Sequence, residues 1–446
     1  MKICIVTSKH VSYNPRVVKE ADALSSAGHD VTVVTVCNNS AQALLDESIL
    51  ATRAWRLFTV KYRKQAIIEK CRWLRLSIRQ RLFEKFISRI ALGFGIAERA
   101  QGREYPELRR LACSVMADLY IAHHVETLGA AYAAARKHRA RFAFDAEDFH
   151  SGMFNTSGEQ VRAENPTEMV RRLLVSAESR PMSQEQNRIK YLERKYLPRC
   201  NHRTAASDGI ADAYALTYNI PRPTTILNVF PLEKPSVRSG ATTDAGFHSS
   251  AITPHSLSFR LYWYSQVIGP GRGLEDAVHS LALLKRPCEL HLRGTAFPNF
   301  VQRLTALAAS LGVQDRLFIH PPSPPDNLIR EAACYDIGLA LENSVELNRL
   351  ICVTNKIFTY MNAGLAIIAT DTPGQQGIMA RVPYVGQVCK MNDAVSLAAS
   401  IDSLTVDPER LATARKASRL AAEERFNWEM EQRKFLEVVR KGTENV

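Results

Sequence analysis

At 446 residues the chain is long enough for two domains of ordinary size, and its composition, 46% hydrophobic and 23% charged with no biased tract, is globular. Net charge is +13, and sixteen Lys and Arg against five Glu lie between Arg53 and Arg110, so most of the excess sits in one segment. Such a segment suits an anionic membrane surface or nucleic acid, and since nothing else resembles a nucleic-acid module, the expected partner is a membrane surface. No apolar run reaches the roughly 18 residues of a membrane span. MKICIVTSKH is a strand start rather than a signal peptide, because its apolar run is short and turns polar at once. The nine Cys are scattered without metal-ligand spacing and read as reduced, buried, small hydrophobes of a cytoplasmic protein.

Lys2 to Thr7 reads as an apolar strand. Asn14-Pro15 is a cap followed by Pro at the first helical position, and Val17, Val18, Ala21, Leu24 and Ser25 line one face of the helix that follows. Ala27-Gly28-His29 stops it, and Val31 to Val36 is a second buried strand, so the chain opens as a parallel α/β domain does. No Gly-x-Gly-x-x-Gly follows the first strand, and no dinucleotide cofactor is expected. Trp55 to Ala97 carries Ile67, Ile68, Cys71, Leu74, Ile78, Leu82 and Phe86 at helical spacing with Arg and Lys between them, as in helices that lie in a lipid headgroup layer or simply pack on a domain surface.

Ala117 to Ala122 is a strand running into His123-His124, and Arg141 to Asp145 another running into Ala146-Glu147-Asp148-Phe149-His150. Ligands of open α/β sheets bind beyond the carboxyl ends of strands, so both clusters are site candidates, although a lone His is more often structural. Ser157 to Ser183 reads as a connection or short helices, Gln184 to Leu197 as a helix ending at Pro198, and Ser207-Asp208-Gly209 caps a helix to Tyr218. Residues 233–258 are rich in Pro, Ser, Thr and Gly and read as a linker. Phe259 to Gln266 starts a second α/β domain. Its glycine turn, Gly269, Gly271 and Gly273 around Arg272, lies between strand and helix, where backbone can approach a phosphate and Arg272 can add charge. Strands Cys288 to Arg293, ending at Gly294, Leu317 to His320, ending at Pro321-Pro322-Ser323, and Asp336 to Leu341, ending at Glu342-Asn343, follow.

Asn355 to Gln375, NKIFTYMNAGLAIIATDTPGQ, reads as a helix capped by Asn355, a Gly364 stop, a buried strand and a turn at Asp371 to Gly374. Lys356 in the first turn of such a helix favours an anion. NKIFTYMNAGLAII resembles the donor-binding helix of GT-B glycosyltransferases, specifically glycosyltransferase family 4. NPRVVKEADALSSAGHDVTVVT, ADLYIAHH, FDAEDFH, Ile226 to Pro231 and Phe426-Asn427-Trp428 resemble further segments of that family, so the likeness spans most of the chain. One departure stands out: the family commonly carries a Glu-x7-Glu pair, and this chain has Ile351 and Thr359 at those positions. Another is Gln266, which takes the place of one of two usual cations.

The resemblance implies two doubly wound parallel-sheet α/β domains facing across a cleft, residues 1–232 on the acceptor side with a basic insertion at 53–110, residues 259–420 on the donor side, and a C-terminal helix in 421–446 returning to the first domain. It implies a retaining, metal-independent transferase that takes a nucleoside diphosphate sugar as substrate, with no cofactor, and passes the sugar to a saccharide or lipid-linked acceptor in cell-surface polysaccharide or glycolipid synthesis. Arg272 and Lys356, with His123, would be catalytic. Gly269, Gly271, Gly273, Gly294, Pro322, Ser323, Glu342, Asn343, Asn355 and Thr359 would bind the donor, and Asn14, Arg16, Glu147, Asp148 and His150 would face the acceptor. The expected location is the cytoplasm, with peripheral attachment to the inner face of the membrane. A nucleotide-sugar epimerase on the same fold and a non-catalytic nucleotide-sugar-binding protein remain as alternatives.

Overall fold

The structure, a computed structural model, describes residues 1–63, 67–87, 92–93, 95–153, 166–178, 182–233, 258–324 and 327–444. Most of the expected linker (234–257), parts of the basic insertion (64–66, 88–91 and 94) and parts of the connection expected from Ser157 to Ser183 lie outside the described residues. The described chain forms two parallel sheets. The first comprises β1 (Lys2–Val6), β2 (Asp30–Cys37), β3 (Arg56–Lys61), β4 (Leu119–His123), β5 (Arg141–Ala146), β6 (His202–Ala205) and β7 (Thr224–Thr225), in the order β3-β2-β1-β4-β5-β6-β7. The second comprises β8 (Phe259–Ile268), β9 (Cys288–Ala296), β10 (Leu317–His320), β11 (Ile337–Ala340), β12 (Ala366–Thr370) and β13 (Gly386–Cys389), in the order β10-β9-β8-β11-β12-β13. Helices join successive strands, so both sheets are doubly wound.

The order in which strands are added reverses between β1 and β4 in the first sheet and between β8 and β11 in the second. Loops part at such a switch point and leave a crevice at the carboxyl ends of the strands. Ser8, Lys9 and His123-His124 lie at the first switch point, and Gly269 to Gly273 and Glu342-Asn343 lie at the second. The central strands are covered on both faces and are therefore continuously apolar: Ile3 to Val6 of β1 and Ala366 to Ala369 of β12 are buried along their whole length.

The chain divides into two compact units. The first holds Met1–Asn228, Glu346–Cys352 and Glu431–Val446, and the second holds Val229–Val345 and Val353–Met430.

The elements differ from the sequence reading in four places. The stretch from Trp55 opens with β3 rather than helix, and the basic helix begins only at Ile67, running to Ile87. β9 continues past Gly294 (φ 154°) to Ala296, with Thr295 pairing with Val267 of β8 beyond an irregularity after Tyr264. Asn355 is the first residue of its helix, and Thr354 precedes it as the cap, without a side-chain cap bond. Asp371 to Gly374 is less a turn than a helix start: Thr372 caps the helix Pro373–Arg381.

Candidate functional site

In the first unit the helix Pro15–Ser26 starts at the carboxyl end of β1, and its first two turns aim charged side chains inward. Asn14 caps it by accepting from the Val17 N–H at 3.2 Å, and its amide donates to Glu147 Oε1 at 2.6 Å. Arg16 is buried and forks onto Asp145, with Nε 2.6 Å from Oδ2 and Nη2 2.7 Å from Oδ1, while Nη1 donates to the Ile226 carbonyl at 2.7 Å. Glu20, one turn on, lies 3.2 Å from Arg16 and places Oε2 3.1 Å from His123 Nε2. His123 Nδ1 is 3.0 Å from Glu147 and 3.5 Å from Asp145.

Both ring nitrogens of His123 thus face carboxylates. Burial works against its charge, but Glu20, Glu147 and Asp145 outweigh it and push its pKa up to about 10. Burial likewise opposes ionisation of Asp145 and Glu147; the Arg16 and His123 charges hold Asp145 below the usual range, and His124 and His123 hold Glu147 well below it. A doubly protonated imidazole has no lone pair with which to take a proton. His123 is also fully buried. In this structure it is paired on both ring nitrogens and holds Glu147 and the strand ends in place. Arg16 too is fully engaged inside the network rather than facing an acceptor. Glu147, with 18% of its side chain exposed, is where the network opens to solvent.

Glu20, His123 and Asp145 bring their ligand atoms within 4.8 Å of one another, a spacing a metal ion accepts. In this structure both oxygens of Asp145 are already taken by the Arg16 fork.

His124, beside it, sits at φ 67°, ψ 154°, backbone that costs an L-residue on the order of 1–3 kcal/mol. Burial lowers its pKa to about 4. The ring meets His150 edge-on at 5.9 Å, and His150 Nε2 is buried with no partner among the described residues. Asp148 accepts from Asn348 Nδ2 at 3.0 Å, and Asn348 Oδ1 accepts the Phe149 N–H at 2.8 Å. Of the acceptor-side residues expected from sequence, Asn14, Arg16, Glu147, His123, Asp148 and His150 therefore do meet around the ends of β1, β4 and β5. Glu20 and Asn348 were missed; the four-residue spacing of Arg16 and Glu20 on one helix was the available signal for the former.

In the second unit the turn after β8 is built on glycine, at Gly271 for its left-handed backbone and at Gly273 also because a side chain has no room. Gly271 and Gly273 have φ 72° and 69°, and a Cβ on Gly273 would lie 2.9 Å from Leu341 Cβ. Gly273 starts the helix Leu274–Leu283. Arg272 reaches from this turn to Glu342 at the end of β11, with Nη1 at 3.1 and 3.3 Å from its two oxygens. Lys356, from the first turn of the helix Asn355–Ala363, meets the same carboxylate at 3.2 Å, bonds Thr354 Oγ1 at 3.3 Å and lies 5.3 Å from the centre of the Trp263 ring. The Glu342 backbone N–H donates to Thr370 Oγ1 at 3.0 Å, which also accepts from Gln375 Nε2 at 2.8 Å. Asn343 donates to Asp276.

Two cations thus converge on one carboxylate at the switch point, beside two helix starts whose free N–H groups favour an anion. Gly294 brings β9 so close to β8 that a Cβ would lie 2.4 Å from the Ser265 carbonyl oxygen. Pro322 is exposed, and Ser323, half-buried, donates to the Pro324 carbonyl at 3.3 Å. Arg293 fixes the start of that loop through the Pro321 carbonyl at 2.9 Å. Thr359 is fully buried, and its hydroxyl is paired with the Tyr264 hydroxyl at 2.7 Å. Thr370, Gln375 and Tyr264 carried no motif that would have singled them out.

No protein-family model matches the chain, and no curated protein matches it in sequence. Its fold does match solved structures. Anabaena HepE in complex with UDP-glucose is 14% identical with a TM-score of 0.64, the match covering 99% of each chain. Sucrose-phosphate synthase from Thermosynechococcus elongatus is 14% identical with a TM-score of 0.66 and the same coverage. The lipopolysaccharide outer core galactosyltransferase WaaB, in its apo form, is 13% identical with a TM-score of 0.57, again over 99% of each chain.

Proposed function

We propose that this chain, which has the GT-B fold of those glycosyltransferases, moves a sugar from a nucleoside diphosphate sugar to an acceptor. The observation that carries the reading is the convergence of Arg272 and Lys356 on Glu342 at the β8/β11 switch point. A departing nucleoside diphosphate gains charge on its β-phosphate, and fixed cations and helix N-termini stabilise that charge without reorganising. Two cations against one carboxylate leave an excess of positive charge for it. Glu342 then has a second task, holding both cations in position before the donor arrives. HepE, with the same fold, is known with UDP and with UDP-glucose.

In this reading the reaction retains configuration, needs no metal and is assisted by the leaving phosphate, and Glu147, Asp148 and His150 orient the acceptor. Thermal-shift measurements with UDP, GDP and ADP test the donor half. A ligand that binds only the folded state raises its melting temperature, so a rise with one nucleotide is expected, and no rise with any would remove the donor reading.

The basic helix Ile67–Ile87 supports a membrane-bound setting. Ile67, Cys71, Leu74, Ile78 and Leu82 recur along one side and are exposed, Ile67 to 83%, with Lys70, Arg75 and Arg81 beside them. Among the described residues no helix is long and apolar enough to cross a membrane. We infer that this stripe lies on an anionic bilayer, each Lys or Arg near the surface adding about 1 kcal/mol. Co-sedimentation with anionic vesicles, weakened by salt and absent with neutral vesicles, is the expected result; no binding to either would leave the helix an ordinary domain surface.

A further inference from the structure

Glu193, on the helix Gln184–Tyr196, is a fully buried carboxyl, and no Lys or Arg among the described residues pairs with it. Its partners are hydroxyls. Tyr214 and Tyr218 stand one turn apart on the helix Asp208–Tyr218, Tyr214 with Oη 2.7 Å from Glu193 Oε1 and Tyr218 against Oε2. Tyr218 Oη also lies 2.9 Å from Ser151 Oγ, and Tyr214 Oη lies 3.1 Å from the Asp148 carbonyl oxygen.

The supply of hydrogens fixes the state of the carboxyl. A phenol has one hydrogen to give, and an ionised carboxylate and a carbonyl only accept. Were Glu193 ionised, the single Tyr214 hydrogen would face two acceptors, and one of them would go without. A protonated Glu193 removes the conflict. Its Oε1–H donates to Tyr214, Tyr214 donates to the Asp148 carbonyl, and Oε2 accepts from Tyr218, which accepts in turn from the Ser151 hydroxyl. Burial acts in the same direction: it raises the Glu193 pKa, against the His150 charge and the hydrogen bonds of Tyr218, Tyr214 and Ser151. Burial also holds both tyrosines well above their ordinary range, so they keep their hydrogens.

This relay ends on a peptide bond of the acceptor-side loop. The Asp148 carbonyl and the Phe149 N–H belong to one peptide unit, and the N–H donates to Asn348 Oδ1 at 2.8 Å, so the unit is held on both sides. The Phe149 ring packs edge-on against Tyr214 at 5.1 Å, and a Cβ on Gly152 would run into that ring. The orientation of this peptide sets where Asp148 before it and His150 after it point.

We propose that Glu193 is a positioning residue: it keeps its proton at neutral pH and, through Tyr214, uses it to lock the Asp148–Phe149 peptide, and with it Asp148 and His150. The positioning role rests on the reading that Asp148 and His150 orient an acceptor; the proton and the lock stand on the first unit alone. When Glu193 ionises, Tyr214 turns its hydrogen to the carboxylate, the stronger acceptor, and the Asp148 carbonyl is released.

The test uses the full chain. Infrared difference spectra of the wild type against Glu193→Gln near neutral pH, in light and heavy water, are expected to show the carbonyl stretch of a protonated carboxylic acid, shifted by deuterium. No such band would overturn the proposal. An amide in this place still donates to Tyr214 and accepts from Tyr218, so Glu193→Gln should keep the amide-exchange protection of Phe149, Gly152 and Met153. Tyr214→Phe, which ends the relay, should lower it about fivefold, the equivalent of one net hydrogen bond. Rising pH should erode that protection in the wild type and not in Glu193→Gln; the other titratable or charged groups facing the carboxyl are His150, Tyr214 and Tyr218, with Arg194 beside Tyr218. Full protection in Tyr214→Phe, or one pH profile shared by the wild type and Glu193→Gln, would overturn the proposal. Should Tyr214→Phe fail to fold, the infrared band and the Glu193→Gln profile decide. The UDP melting shift, run in parallel, reads the second unit: its absence with band and lock intact would remove the donor reading and leave the lock standing.

Discussion

Arg272 and Lys356 share one carboxylate, which makes them separable by experiment. Removing either cation leaves Glu342 under-neutralised and takes one charge from the leaving phosphate. Arg272→Ala and Lys356→Ala are each expected to lose about 2–4 kcal/mol of transition-state stabilisation, read from kcat/KM with the donor identified by thermal shift. Unchanged turnover in both variants would contradict the assignment. His123 makes a different prediction. Its folded pKa, about 10, lies above the ordinary 6.5 of an imidazole, because Glu20, Glu147 and Asp145 outweigh burial. Above about 6.5 the unfolded chain releases a proton that the native chain keeps. The stabilisation is therefore complete below that pH and is lost as pH climbs toward 10. Urea unfolding should show a midpoint that falls across that window, and His123→Gln should flatten the fall. A slope unchanged by the substitution would mean that the ring is neutral in the folded chain.

At the scale of elements, Gly294 is the sharpest constraint. Its φ of 154° and the Ser265 carbonyl against any Cβ leave no room for a side chain, because the obstacle is backbone rather than a movable side chain. Gly294→Ala is expected to cost about 2–3 kcal/mol of stability, measured by denaturant unfolding, whereas the exposed Gly28→Ala, with nothing within 4 Å of its Cβ, should pay only for its φ of 82°. Sequence announced elements where local chemistry did so alone: Asn14-Pro15 and Ser207-Asp208 start helices with their own caps, and both helices are there. β3 stayed hidden because its six residues sit at a sheet edge and only Val60 is buried, so its pattern merged with the basic run after it. The donor-side glycines and Glu342 were legible because backbone approach and strand ends leave local marks. The Arg16–Asp145–His123–Glu20 network was not, since a charge on a helix reads as solvated until the fold shows that it points inward, across more than a hundred residues of chain. The pairing of the Thr359 hydroxyl with Tyr264 was hidden for the same reason, since it depends on a strand 95 residues away.

For the molecule as a whole, neither unit is one continuous piece of chain. The first is closed by Glu346–Cys352, which returns Asn348 to Asp148 and Phe149, and by Glu431, whose Oε2 accepts the Leu227 N–H at 2.9 Å. The N-terminal segment therefore ends with buried backbone groups whose partners arrive late. A fragment of residues 1–233 is expected to be less stable than the first unit in the full chain by several of these hydrogen bonds, each worth about 1 kcal/mol, and to show faster amide exchange at Phe149 and Leu227. Equal protection in fragment and full chain would show that the late segments add nothing.

Domains are generally completed from the N-terminus as a chain is synthesised. Here that order fails. When residue 228 leaves the ribosome, the first sheet has all seven strands, but Glu431 has not yet been made. The second unit can close before the first, since its last segment ends at Met430. The half of the molecule that is begun first is thus finished last, and a nascent chain spends the synthesis of some two hundred residues with the Leu227 N–H waiting for its partner.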